Sequence, residues 1–365
     1  MKELSYYESA SESALLDLIG EIRKEAGDSL AIMAHYYAPD ETVALADEVG
    51  DSLALAKKAA ASSASAVLFC GVHFMLETAD ILMNTPERIA ARNGRRALVF
   101  APDATAGCPM ADMIDETRAL DWERQLKEYV DVSEFTPITY VNSSAGTKAF
   151  CGRRQGAVCT SANAEKVVSD ALARRPKLLF MPDSRLGRAT AVKLGVPLDE
   201  IVFWRPDEPL GGIDPDALRR ARVILWDGYC PVHQKFSAET IRKIRATEPT
   251  AVVWAHPESP REILDLCDGY GSTTKLLDVV ANAAPGDVVA VGTEWKLVDR
   301  MRRRNPDKKI LYPAEEPSIC EDMSKSTLPK VARALDAWRS GEPTNVVSVP
   351  AEVAGDARKA LESLL

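Results

Sequence analysis

An α/β fold built on parallel sheets follows from three features of the sequence. Short apolar runs rich in Val, Ile and Leu recur along the chain, each closes on polar, Gly or Pro residues, and helical patterns lie between them. A run that is apolar throughout, rather than at alternate positions, fits a strand buried on both faces, and helices linking such strands are what a parallel sheet requires.

In chain order the strands are LAIMAHYY (30–37), AVLFCGV (66–72), ALVFAP (97–102), PITYVNS (137–143), GAVCTS (156–161), LLFMPDS (178–184), VILWDG (223–228), AVVWAHPES (251–259), DVVAVGTE (287–294) and KILYP (309–313). The helices between them include DSLALAKKAAA (51–61), FMLETADILMN (74–84), DWERQLKEYVD (121–131), AEKVVSDALARR (164–175), ETIRKIRAT (239–247) and TKLLDVVANA (274–283). With 365 residues the chain exceeds one ordinary core. Three similar α/β segments are expected at 26–120, 121–235 and 236–345, with a helical extension over 1–25 and a tail over 346–365 that packs back.

Composition narrows the function. Hydrophobic residues make up 46% and charged residues 27%, an ordinary globular balance. A net charge of -9 and a pI near 5.2 repel polyanions, and no cluster of Lys and Arg interleaved with aromatics offsets this, so nucleic acid is not expected as a partner. The opening MKELSYYESASESALL lacks the apolar run of a signal peptide, and no stretch reaches about 18 consecutive apolar residues, so a cytoplasmic protein without membrane association is expected. Seven cysteines, an odd number, argue against a disulfide framework and leave room for metal ligands.

The strand ends HYY, CGVHF, YVNSS, CTSAN, PDSRLGR, DGYCPVH, HPES and GTEWK gather most of the residues with obvious chemistry, and in parallel sheets ligands bind beyond those ends. His35 and His256 each stand where a strand leaves the core, His233 follows Cys230 by three, and His73 opens a helix. A lone histidine is more often a hydrogen-bonded structural residue, but the shared location favours a site. Glu258, two residues after His256, could serve as a general base if partial burial raised its pKa. Cys230 and His233 alone suggest half of a zinc site without a second pair to complete it. Cys108, Cys230 and Cys320 lie in loops rich in Gly, Pro and polar residues, whereas Cys70 and Cys267 read as small core residues. GYGSTTK (269–275) and CTSANAEK (159–166) offer either anion-binding loops or simple helix caps, and Tyr140 and Asn142 either a carboxylate site or loop hydrogen bonds.

Taken together, AHYYAPDETVALADEVGDSLALAKKA, FCGVHFMLETADIL, AGCPMADM, YVNSSAGTKAF, CTSANAEKVV, WDGYCPVH, HPESPREILDLCDGYGST, VGTEWKLVDRM and SICEDMSKSTLPKVARAL resemble, in order, the motifs of the quinolinate synthase (NadA) family over about residues 30 to 340. The resemblance implies three αβα domains in a pseudo-threefold arrangement around a central active site, and a 4Fe-4S cluster held by Cys108, Cys230 and Cys320 with one iron open as a Lewis acid. It implies condensation of iminoaspartate with dihydroxyacetone phosphate to quinolinate, phosphate and two waters in NAD biosynthesis, with functional coupling to an aspartate-oxidising enzyme. By motif it assigns His35, Ser52, Tyr140, Asn142, Ser161, His256, Glu258 and Thr273 to substrate binding, and Glu258, Tyr37, His35 and His256 to acid-base or polarising roles.

The segment AGTKAFCGRRQGAV (145–158) looks longer than in compact relatives and brings Cys151, Arg153 and Arg154. The arginines could guide anions or be merely solvated. Cys151 and Cys159 rank below the three loop cysteines as ligands. Competing readings are a zinc hydrolase using Cys230 and His233, and a non-catalytic small-anion binding protein.

Overall fold

The computed structural model describes residues 2–365, and the chain divides into two compact units. One unit runs to Cys108 and takes in Cys320–Ala354. Its sheet contains β1 (Leu30–His35), β2 (Glu48–Gly50), β3 (Ala66–Cys70), β4 (Leu98–Phe100) and the late β14 (Val346–Val347), in the order β14-β4-β3-β1-β2. Four strands are parallel and β14 alone pairs antiparallel, Val346 opposite Phe100. Every residue of β3 is buried, as its unbroken apolar sequence requires. The helix Glu12–Ala26, capped by the Ser11 hydroxyl accepting from the Ala14 N–H at 3.3 Å, presents Leu15, Ile19 and Ile22 along one face. These pack with Val331 and Leu335 of the helix Leu328–Arg339 in the core that also holds Ile32, Leu68 and Phe100.

The other unit, Pro109–Ile319 with Gly355–Leu365, carries two wholly parallel sheets. The first orders β5 (Phe135–Tyr140), β6 (Ala157–Cys159), β7 (Lys177–Met181), β8 (Ile201–Trp204) and β9 (Val223–Trp226) as β6-β5-β7-β9-β8. The second orders β10 (Val252–Ala255), β11 (Gly269–Tyr270), β12 (Val288–Gly292) and β13 (Lys309–Leu311) as β11-β10-β12-β13. Because all strands within each sheet run the same way, the polar residues that follow them collect at one edge of that sheet. Trp122 packs between Trp204 and Trp226, with ring centroids at 6.1 and 5.5 Å.

All ten expected strands form, and the class is α/β with three sheets that are parallel or nearly so. The sequence reading missed the short β2, β8, β11 and β14. The helix expected at 121–131 begins earlier, at Glu116, because Asp115 caps it by accepting from the Arg118 N–H at 2.7 Å. The segment read as a long linker after Tyr140 is largely the helix Ala145–Arg153, with Cys151 buried on it. None of the described helices is long and apolar enough to cross a membrane.

Candidate active site

In the unit that carries β5 to β13, one buried hydrogen-bonded ring draws residues from the ends of four strands. Glu258, 2% exposed, accepts from His233 Nδ1 at 2.8 Å, and the other His233 nitrogen lies 3.4 Å from the Thr293 hydroxyl just beyond β12. Tyr140, the last residue of β5, hydrogen-bonds to Glu258 and to Ser161. Ser161, past the end of β6, meets His256 Nε2 at 3.2 Å. His256 closes the ring: it stacks on His233 with centroids 4.5 Å apart, and its Nδ1 lies 3.7 Å from the Glu258 carboxylate. The carboxylate accepts only, so the hydrogen-bond network assigns the His233 proton to Nδ1.

The electrostatics correct one expectation. Burial pushes the Glu258 carboxyl up, as anticipated, but the imidazoles of His256 and His233 and the hydrogen bonds of His233 and Tyr140 outweigh it, holding the group well below the usual carboxylate range. The carboxyl that is raised is Asp183, a residue the sequence reading passed over. It is fully buried beyond the end of β7, and burial first, then the nearby Glu258 charge, push its pKa far up. Its Oδ1 caps the helix Ser184–Lys193 by accepting from Arg185 and Leu186 N–H at 2.8 Å, while Oδ2 has no hydrogen-bond partner. Burial, and then Glu258, also push the Tyr140 phenol far above its ordinary value, so it stays a proton donor.

His233, considered above only as half of a zinc pair, is thus the direct partner of Glu258. Cys230 Sγ, a His233 nitrogen and a Glu258 oxygen all lie within 4.8 Å of one another, a group able to hold a metal ion. Gln234 ties the two loops together, its amide donating to the Cys230 carbonyl at 3.1 Å and the Glu258 carbonyl at 3.0 Å. Asn142 sits two residues beyond Tyr140 with its Oδ1 buried and unpartnered, as a ligand-facing amide would be. Thr273 is buried at the start of the helix Thr273–Asn282, which Ser272 caps through the Lys275 N–H at 3.3 Å, so the GYGSTTK loop does cap a helix.

The other unit holds the remaining candidates. His35 ends β1, and its Nδ1 accepts from the Tyr37 N–H at 3.2 Å, which puts the proton of the neutral ring on Nε2. Its ring meets Tyr37 edge-on at 4.6 Å. Ser52 opens the helix Ser52–Ala61, whose cap is the Asp51 carboxylate. The Cys108 and Cys320 loops, distant in sequence, are joined: the Gly107 N–H donates to Asp322 at 3.2 Å, and Lys325 donates to the Thr105 carbonyl at 2.6 Å.

Cysteine environments separate into two kinds. Cys108, Cys230 and Cys320 are half-buried in loops. Cys70, Cys151 and Cys159 are fully buried and Cys267 is half-buried, and burial raises all four of these thiols, Cys151 and Cys267 to about 12. An iron-sulfur cluster takes thiolates, so the thiols that burial raises are poor candidates for its ligands. Arg153, which is exposed, and Arg154, which is half-buried, are both engaged in ion pairs. Arg153 pairs with Glu116 and Asp356, and Arg154 grips Glu123 through two bonds of 2.6 and 2.7 Å.

Comparison with known proteins agrees with this geometry. Residues 17–365 match the family described as quinolinate synthetase A protein, NadA. A quinolinate synthase of Rhodopirellula baltica is 39% identical over 99% of this chain and 93% of its own. Proteins of the same name from Listeria monocytogenes and Bacillus anthracis are each 40% identical over 99% of this chain, and over 96% and 95% of their own. The matched span takes in every strand end just described, and the chain belongs to the quinolinate synthetase A (NadA) family.

Proposed function

We propose that this enzyme is a quinolinate synthase of NAD biosynthesis, condensing iminoaspartate with dihydroxyacetone phosphate to give quinolinate, phosphate and two waters. The observation that carries the reading is the Glu258 ring: an ionised, buried carboxylate wired to a phenol and two imidazoles is equipped to move protons. Ring closure of these substrates demands repeated proton transfers at carbon, nitrogen and oxygen. Glu258 accepts a proton, and Tyr140 and Ser161 relay one toward His256. His35 offers its Nε2–H to a substrate oxygen, and Tyr37 is the second candidate acid. Ser52, Asn142 and Thr273 supply neutral polar contacts to the anionic substrates. Asp183, kept protonated, spares those anions a second negative charge near Glu258.

Cys108, Cys230 and Cys320 are the residues that would hold a 4Fe-4S cluster. Held by three protein ligands, such a cluster would supply Lewis acidity. A reducing cytoplasm suits these thiols, and we place the reaction there. Iminoaspartate is short-lived in water, so an aspartate-oxidising enzyme is the functional partner.

The test is Glu258→Gln in anaerobically purified protein. Iron and sulfide content should match the wild type while kcat falls by about 100-fold or more, the usual worth of a general acid-base group. Near-normal turnover would remove Glu258 from the chemistry. Cys230→Ala should abolish the iron-sulfur absorbance, and a zinc content without sulfide in the wild type would favour a single-ion site on Cys230, His233 and Glu258 instead.

A further inference from the structure

One residue beyond Glu258, Ser259 is among the residues around a cavity of about 400 Å³ that no member of the acid-base ring lines. Ser259 is fully buried and its hydroxyl has no hydrogen-bond partner. A buried hydroxyl left unpaired is costly and uncommon, and one in the wall of a cavity can be satisfied by what fills it after a turn of the side chain. The remaining wall is cationic: Arg185, Arg188 and Arg261 against the acids Asp227 and Glu262, in a chain whose net charge is -9.

The three arginines are not equivalent. Arg185 is held by Asp227 at 2.6 Å and by the Ser184 hydroxyl at 2.5 Å, and Arg261 pairs with Asp265 at 2.5 Å. Arg188, on the same helix as Arg185, is half-buried with its guanidinium 5.8 Å from the centre of the Phe203 ring. No carboxylate pairs with it among the described residues. A planar fork of donors without an anion, beside an unpaired hydroxyl in a cavity of this volume, matches the tetrahedral oxygens of a phosphate group.

We propose that this cavity is a second ligand site, binding a small phosphorylated anion through Arg188 and the Ser259 hydroxyl, with Arg185 and Arg261 at its margin. The ligand is a phosphate monoester or inorganic phosphate. Gln234 also lines the cavity, and its amide holds the carbonyls of both Cys230 and Glu258, so occupancy acts on the two loops that bear the proposed chemistry. The site stands apart from the reaction proposed above and is tested without turnover.

Equilibrium dialysis of the full chain with labelled inorganic phosphate measures it. The wild type should bind saturably, and Arg188→Gln should lose one equivalent or weaken it by roughly tenfold or more, the worth of a charge-assisted bond. Ser259→Ala should weaken the same equivalent by several-fold, and Glu258→Gln should retain it. Should Arg188→Gln melt early by circular dichroism, Arg188→Lys, which keeps the charge and loses the fork, should fold and bind with intermediate affinity. Displacement of label by glycerol 3-phosphate at lower concentration than by unlabelled phosphate assigns a monoester; displacement by phosphate alone assigns the free ion. Absence of saturable binding up to about 10 mM, or wild-type binding by Arg188→Gln and Ser259→Ala, would overturn the proposal.

Discussion

At the scale of single residues the site is governed by two carboxyls that burial treats alike and neighbours treat oppositely. Glu258 has two imidazoles and a phenol around it and stays ionised; Asp183 has backbone N–H groups on one oxygen, nothing on the other, and Glu258 nearby, and stays protonated. Replacing a protonated Asp by Asn changes neither charge nor capping ability much. Asp183→Asn should therefore lower kcat by less than about fivefold and leave the thermal midpoint near that of the wild type, where Glu258→Gln loses about two orders of magnitude. Parallel kinetics and melts of the two variants check this, and a collapse of Asp183→Asn to the level of Glu258→Gln would mean that Asp183 works as an anion. The sequence made Glu258 visible, because a carboxylate following a strand-terminal histidine is a local pattern. It could not give the sign of the pKa shift. That depends on how His256 is turned toward the carboxylate, and on His233, which lies 25 residues away and meets Glu258 only once β9 and β10 are in place.

At the scale of elements, the helix Ala145–Arg153 is the clearest revision. Its arginines looked like a basic loop, yet their charges are absorbed by Glu116, Asp356 and Glu123. Arg154→Ala should cost about 1 kcal/mol of stability or less, the range of a partly exposed ion pair, and leave kcat/KM unchanged. Gly152 on the same helix is needed for close approach, since a Cβ there would stand 1.9 Å from the Asp356 carbonyl oxygen. Gly152→Ala should destabilise by about 1–3 kcal/mol in a denaturant melt. Neither contact is readable in the sequence, because the Asp356 carbonyl that Gly152 approaches and all three acids lie outside the helix. The missed strand β8 has a similar explanation: four residues flanked by Pro- and acid-rich segments fall below what a periodic pattern can signal, and its burial comes from β9 and the Trp122 ring.

The Asp103 clasp near the Cys108 loop gives a pH dependence of stated sign. Burial pushes the Asp103 carboxyl up, but hydrogen bonds from Lys330 at 2.6 Å and from Thr105 at 2.7 Å outweigh it and hold the group below its ordinary 3.8. A carboxylate depressed in the folded state adds stability that is present above pH 3.8 and lost as the pH falls below it. Asp103→Asn should thus cost about 1 kcal/mol at neutral pH, and the difference from wild type should shrink as melts are taken to pH values progressively below the ordinary 3.8.

At the scale of the whole molecule, the sheets were legible and the grouping was not. Ten apolar runs announced ten strands because buried parallel strands carry their burial in their own residues. Nothing local in Leu328–Arg339 says that its apolar face shares a core with β1 and the helix Glu12–Ala26, at the other end of the chain, so the return of Cys320–Ala354 to the first unit had no sequence signal. That return has a chemical consequence, for it sets the Cys320 loop against the Cys108 loop within one unit. The reaction proposed above draws together family membership, the loop cysteines and the Glu258 ring.

The most direct check of that reaction is quinolinate formation by protein purified and reconstituted with iron and sulfide without oxygen, supplied with dihydroxyacetone phosphate and freshly generated iminoaspartate. The account predicts quinolinate and phosphate in equal amounts from the wild type and neither from Cys230→Ala. Protein carrying about four irons and four sulfides per chain that makes no quinolinate from these two substrates would contradict it.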